Sequence, residues 1–543
     1  MFPLLERGGA MRRKIIGAFA GALLLGALPA IAQDAAPKSF SDTVRQVMSR
    51  PVYRHSNFGL EVWSLDSGKA LFAVNGDKLF TPGSTTKLFT EGAVLSLLGP
   101  DYRFHTPLYR TGKIAKGVLK GDLILVASGD PNISDRMQAD GSLAFADEDH
   151  SYGGADSRLI GSDPVIVLRQ FAKAVADAGI KRVTGKVRVD VSLFAEGTRE
   201  LGTGEVISPI IVNDNAIDVT VKPGAKLGDA AALTIAPAVP YIHFVNQITT
   251  VAGDKGKFDE VVTTDDKTGV QTVVLAGTIG QGTPQVIDAF ALASPSRFAG
   301  TLLTAALKEA GVKVQGAPDA IKDAAGAAAV KKFYADDMRL AEHVSPPLRE
   351  DIHITLKVSQ NLHASTMPYV LGAVLGHASD KADQNGFTLE HDWLAGAGLD
   401  MSGASQGDGA GGAVAAYYTP DFAVHYLAFM AKHHDFELFH KALPVLGMDG
   451  TLVDIAKGSA GAGHVFAKTG TFSGRDYLNG GHRMLTGKGL AGYTTTPDGQ
   501  HLAFAFYVNN VELPDDSSVS GMAGQALGEM ASALYALPLG SGP

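Results

Sequence analysis

The chain has 543 residues, 45% apolar and 19% charged, with a net charge of −9 and no cysteine. Its composition is that of an ordinary globular protein, long enough for more than one domain and a large core. The absence of cysteine excludes disulfides, thiolate metal sites and thiol nucleophiles, and no basic stretch suggests a nucleic-acid groove.

Residues 1–32 read as a cleavable secretory signal. Met11 is followed by Arg12-Arg13-Lys14, a short apolar core and an Ala30-x-Ala32 exit. A membrane anchor needs about 20 apolar residues, whereas the run after Lys14 is shorter and contains Pro29. Cleavage after Ala32 removes Arg7, Arg12, Arg13 and Lys14 against Glu6, leaving a mature charge of −12. The expectation is a periplasmic protein without a transmembrane anchor.

After the signal, Gly59–Ser64 and Ala70–Asn75 flank the turn Asp66-Ser-Gly68 and predict a hairpin. Pro82-Gly83 breaks the chain. Apolar residues at helical spacing (Leu88, Ala93, Val94, Leu97) then predict a helix from Ser84 to Leu98, stopped by Gly99-Pro100. In the middle region Val118–Val126 reads as strands, Val165–Ala178 as a helix and Val183–Val191 as strand. Positions 217–289 form a β-rich, turn-punctuated module, and a helix follows from Ser294 to Ala310. Gly316–Lys332, rich in Ala, Gly and Lys, reads as a linker.

The last segment is helical to about His440, with Thr419-Pro420 opening one helix. Strands follow at Val465–Thr471, Leu490–Thr496 and Leu502–Val508, then a helix from Ser517 to Leu537. The early hairpin, the late strands and the last helix predict one sheet covered by helices, an α/β (α+β) fold. The domain expectation is a discontinuous catalytic domain, 34–98 and 333–540. Residues 99–332 are inserted as two subdomains, one of them the β-rich module.

Three short motifs carry chemistry. Ser84 and Lys87, at i and i+3, are neighbours on a helix surface, so hydroxyl and amine can meet. Serine needs a base, and lysine serves only when neutral, which burial and a second cation such as Lys468 promote. The helix N-terminus beneath Ser84 offers N–H groups to an oxyanion. Ser359-Gln-Asn361, by itself an ordinary helix cap, can relay a proton through Ser359 and orient Lys87 and a substrate carbonyl through Asn361. Lys468-Thr-Gly-Thr471 follows an apolar run. On a strand it puts Lys468 and Gly470 on one face and Thr469 and Thr471 on the other. Gly470 would let a substrate backbone pair along the edge, Lys468 and Thr469 would hold a terminal carboxylate, and the Thr471 N–H would complete an oxyanion hole. Each motif alone has a bland explanation, a solvated strand-end lysine in the last case. Their ordered occurrence does not.

The three motifs resemble those of penicillin-binding proteins and serine β-lactamases. Wider segments are similar to the class C low-molecular-weight penicillin-binding proteins, the D-Ala-D-Ala carboxypeptidase/endopeptidase family: Leu98–Phe104, Gly117–Leu123, Ser128–Asn132, Leu340–Leu348, Leu446–Leu452 and Leu490–Tyr493. The resemblance spans nearly all of the mature chain, including the insertion between Ser84 and Ser359. It implies a transpeptidase-like fold, Ser84 as acylated nucleophile, Lys87 as base, and Ser359, Asn361 and Lys468-Thr469-Gly470 as the second and third motifs. Gly396–Ala404 follows the family's Gly-Ser-Gly-Leu-Ser stretch only loosely, and 472–489 is expected to be a lengthened loop beside the site.

The resulting expectation is a serine D-Ala-D-Ala carboxypeptidase, possibly also a D,D-endopeptidase. It would act on peptidoglycan stem peptides and cross-links and be acylated by β-lactam antibiotics. The competing readings are a serine β-lactamase and a catalytically weak cell-wall scaffold. No cofactor or metal is expected. The sixteen histidines include no His-Glu-x-x-His, and Asp147-Glu-Asp-His150 reads as a solvated loop lacking calcium-ligand spacing.

Overall fold

In the computed structural model, residues 37–134, 136–161, 163–377, 379–412, 416–514 and 518–542 are described. The expected signal segment lies outside them. Strand alternation explains the central sheet. Along His501–Glu512, Leu502, Phe504, Phe506 and Val508 enter one core, while Ala503, Ala505 and Tyr507 enter another. Successive side chains of a strand point to opposite faces, so this strand is buried on both sides. Its neighbours are β1 (Asn57–Ser64) and β2 (Lys69–Val74) on one side, and β4 (His482–Thr495) and β3 (Val465–Asp476) on the other. With His501–Glu512 as β5, the order is β2-β1-β5-β4-β3, antiparallel throughout. Both extremities of the described chain therefore build one sheet, and β3 is its edge.

One face packs on α1 (Phe40–Met48) and α7 (Gln525–Ala536) through Phe40, Val44, Val47, Leu527 and Met530. The other packs on α2 (Lys87–Leu98), α3 (Leu348–Lys357), α4 (Asn361–Val374), α5 (Ala382–Gly396) and α6 (Pro420–Met430). The predicted helix from Ser84 is divided. Gly83–Thr86 forms a 3-10 turn, and the α-helix starts at Lys87.

Between α2 and α3 lie further sheets. A five-stranded sheet runs in the order Asp319–Ile321, Val187–Asp190, Leu123–Val126, His105–Arg110, Arg339–Val344. Two three-stranded sheets occupy the predicted β-rich stretch. The supposed linker 316–332 carries structure of its own: a strand, Asp319–Ile321, and a helix, Ala324–Val330, capped by Asp323 onto Gly326 N–H at 2.7 Å. Arg339–Val344, expected beyond the insertion, pairs with His105–Arg110 and closes the inserted sheet.

The stretch 472–489 is not a loop. Strands β3 and β4 continue through it in register from Phe472↔Gly487 to Asp476↔His482, with one bulge after Phe472. Only the turn at 477–481 is irregular, and Tyr477 and Leu478 stand exposed on it.

Candidate active site

Ser84 lies in the tight turn ahead of α2, wedged under β3. Gly83 has φ +54, and a Cβ there would sit 2.4 Å from the Thr471 nitrogen. Lys87, one turn on, is fully buried. Its Nζ donates to Ser84 Oγ at 2.7 Å, to Asn361 Oδ1 at 2.7 Å and to Ala410 O at 3.3 Å. The first two motifs therefore meet at a single amine.

Burial lowers the Lys87 pKa from 10.5 to about 8, against the opposing pull of Glu200, Asp408 and Glu91. The second cation anticipated from sequence acts the other way round. Lys468, also fully buried, is the ammonium driven well below its usual range, by burial and then by Lys87 and Lys488. Lys87 keeps acids around it, and among the described residues Lys468 donates to the Thr469 carbonyl alone, at 3.0 Å.

Ser359 and Asn361 sit where α3 ends and α4 begins. Ser359 takes φ +66, a left-handed conformation that a non-glycine residue adopts only under constraint. The constraint comes from the inserted region. The Tyr152 hydroxyl donates to the Ser359 carbonyl and lies 3.3 Å from Asn361 Oδ1. Gln360 Nε2 donates to Ser151 Oγ at 3.2 Å and Asp214 Oδ2 at 3.1 Å. Asp214 is the hub of a buried ionic cluster. It meets Arg136 at 2.7 Å, His150 at 2.9 Å and His363 at 3.0 Å, while His150 also meets Asp218 at 2.7 Å and His363 meets Asp351 at 2.9 Å. Asp149, 2.6 Å from Arg136, and His150 are buried here, so the expected solvated loop is instead a wall beneath the second motif. Asp149, His150 and Asp214 bring three potential metal-ligand atoms together. The Arg136 guanidinium already neutralises this group, which makes it a poor cation site.

Ser84, Ser359, Asn361, Thr469 and Thr471 share one cleft of about 800 Å³. Tyr152, Leu201, Gly202 and Asp288 of the inserted region form its far wall, and Phe472, Arg483 and Lys488 of the long hairpin extend it. Thr469 Oγ1 donates to Thr451 Oγ1 at 2.8 Å. Of the third motif, Lys468 is set behind the strand and is not among the residues lining the cleft. Gly470 has a different role from the one expected. A Cβ there would stand 1.9 Å from the Pro82 carbonyl oxygen, so its missing side chain admits the Ser84 turn rather than a substrate backbone.

Sequence reasoning missed four contributors. Lys488, nearly buried, lies directly across from Thr471 and donates to its Oγ1 at 2.7 Å. Burial lowers its pKa to about 8, against Glu148. Tyr152 and Glu200 come from the insertion. The glycine-rich stretch that reaches Lys87 is Asp408–Gly412, not Gly396–Ala404. The Asp408 carboxylate accepts from Gly411 N–H at 2.7 Å and Gly412 N–H at 2.9 Å, fixing the Ala410 carbonyl beside Lys87. An Asp followed by Gly-x-Gly-Gly at 408–412 was the available signal.

Residues 41–527 match the model of the D-Ala-D-Ala carboxypeptidase 3 (S13) family. The chain is 26% identical over 509 residues to a D-alanyl-D-alanine carboxypeptidase of an Actinomadura species, covering 90% of this chain and 84% of that one. It is 22% identical over 476 residues to the D-alanyl-D-alanine carboxypeptidase DacB of Haemophilus influenzae, covering 85% and 87%. The crystal structure of penicillin binding protein 4 from Haemophilus influenzae superposes with a TM-score of 0.69 at 20% identity, over 91% of this chain and 98% of that chain. The two share a fold.

Proposed function

The chain belongs to the D-Ala-D-Ala carboxypeptidase 3 (S13) family, and on that footing we propose that it is a periplasmic serine peptidase that trims and opens peptidoglycan stem peptides through an acyl-enzyme on Ser84. The observation that carries this reading is the Lys87 amine held 2.7 Å from both Ser84 Oγ and Asn361 Oδ1. A buried lysine titrating near neutrality is a competent base.

In the proposed reaction, neutral Lys87 takes the Ser84 proton as Oγ bonds to the carbonyl carbon of the penultimate D-Ala. The backbone N–H groups of Ser84 and Thr471 receive the oxyanion. The C–N bond then breaks, and the leaving amine is protonated from Lys87 by way of Ser359. Water attacks the ester, Lys87 again accepts the proton, and Ser84 is restored. Thr469 and Thr471 bind the substrate's terminal carboxylate, with the charge supplied by Lys488 beside Thr471, while Lys468 behind the strand holds the Thr469 carbonyl. A penicillin presents the same carbonyl and carboxylate and stops at the acyl stage.

In this reading the catalytic domain is discontinuous, 34–98 and 333–540 apart from the strand Arg339–Val344 that pairs into the inserted sheet, and the insertion supplies the far wall of the cleft. Among the described residues no helix is long and apolar enough to cross a membrane, which is compatible with release into the periplasm after signal cleavage. The test is covalent uptake of labelled penicillin. The wild type retains label after denaturation and Ser84→Ala retains none. Label on Ser84→Ala would refute the assignment.

A further inference from the structure

The extended hairpin leaves an unexplained charge arrangement. Arg475 on β3 and Arg483 on β4 are directly opposed cross-strand partners. Like charges in that position repel and destabilise a strand pair. Among the described residues neither guanidinium forms an ion pair with a carboxylate. The adjacent acid, Asp476, is committed to the turn: its carboxylate accepts from Leu478 N–H at 3.0 Å, Asn479 N–H at 3.2 Å and Asn479 Nδ2 at 2.7 Å. Arg483 also lines the cleft that holds Ser84, on the same hairpin as Lys488. Two opposed cations beside a substrate cleft, one of them lining it together with Glu148 and Asp288 but neither ion-paired among the described residues, suit an anion that arrives with the substrate.

From this arrangement, and resting on the peptidase reading above, we infer that Arg475 and Arg483 form a second carboxylate subsite that selects cross-linked substrates over single stem peptides. The chemistry separates the two. A single pentapeptide loses free D-Ala, whose one carboxylate is spent at Thr469 and Thr471. A cross-link loses a whole acceptor stem. Its leaving amine sits on a centre with its own carboxylate, and the stem ends in another carboxylate further on. Strands advance roughly 3.4 Å per residue, so Arg475 lies about 14 Å along β3 from Thr471. Two or three residues of extended peptide span about 7–10 Å, and a long arginine side chain covers the remainder. Forked guanidinium–carboxylate pairing supplies the selectivity.

The test compares kcat/KM on a purified muropeptide dimer and on a monomeric pentapeptide, for wild type and the double variant Arg475→Gln/Arg483→Gln. Expected is a fall of roughly tenfold or more on the dimer, against less than twofold on the monomer and in the rate of penicillin acylation. Wild type given a dimer amidated at the acceptor stem's C-terminal carboxylate shows the same fall, and the variant no longer distinguishes the two dimers. Equal losses on dimer and monomer, an unchanged dimer rate, or a wild type that hydrolyses monomers but not dimers overturns the subsite. A wild type that releases no D-Ala and takes up no penicillin refutes the peptidase reading instead.

Discussion

In the proposed mechanism Lys87 carries the pH dependence of the site. Its pKa of about 8 is lowered by burial and held up by Glu200, Asp408 and Glu91. Only the neutral amine can accept the Ser84 proton, so the acylation rate at saturating penicillin rises with pH and levels off above about 8, while penicillin binding weakens there as Lys488 loses its charge. Stopped-flow acylation between pH 6 and 9 checks this, and a profile flat through pH 8 would remove Lys87 as base. Lys87→Met lowers the acylation rate by about 10²–10⁴-fold, the usual contribution of a positioned base, and the melting temperature falls, because Asn361 Oδ1 and the Ala410 carbonyl lose their buried donor.

At the scale of elements, the close fit of the Ser84 turn to β3 decides whether the site exists. Gly83 faces the backbone of Gly470 and Thr471, and Gly470 faces that of Pro82 and Thr85, with no room for a methyl group on either. Gly470→Ala is therefore overpacked and costs about 1–3 kcal/mol. Because the strain falls on the turn of the proposed nucleophile, acylation slows by more than the stability loss explains. Thermal melts and penicillin labelling of the same preparation compare the two effects.

The same contact shows what the sequence could reveal. The three motifs, the N-terminal hairpin and the late strands were legible because period, turn residues and spacing are local properties. The direction in which Gly470 faces was not, since it depends on the turn packed above it. Lys488 escaped notice for a related reason: a lysine within Gly487-Lys-Gly489 becomes part of the site only through the register that sets it opposite Thr471. The stretch 472–489, rich in glycine and charge, imitates a loop, yet continued pairing of β3 with β4 makes it a ribbon.

Across the whole molecule, the insertion does more than border the cleft. Through Tyr152, Ser151 and Asp214 it grips the Ser359–Asn361 turn, and the ionic cluster below is the mortar. His363 belongs to that cluster. Burial pushes its pKa down, but Asp351 and Asp214 outweigh burial and raise it from 6.5 to about 10. A histidine with a folded pKa above its unfolded value contributes stability that is complete below pH 6.5 and lost as pH rises through about 10. The gap in urea midpoint between wild type and His363→Gln is accordingly widest near pH 6 and narrows steadily towards pH 10. A gap independent of pH would show that His363 is uncharged in the folded protein.

The position of β5 between β1 and β4 has a consequence for the birth of the enzyme. The wall bearing Ser84 is made early, the edge bearing Lys468 late, and the strand that joins them later still. Pairings so distant in sequence form slowly and only once both partners exist. On the proposed reading a nascent polypeptide thus holds an inert serine for most of its synthesis, and the carboxypeptidase stays silent until its final strand slides home.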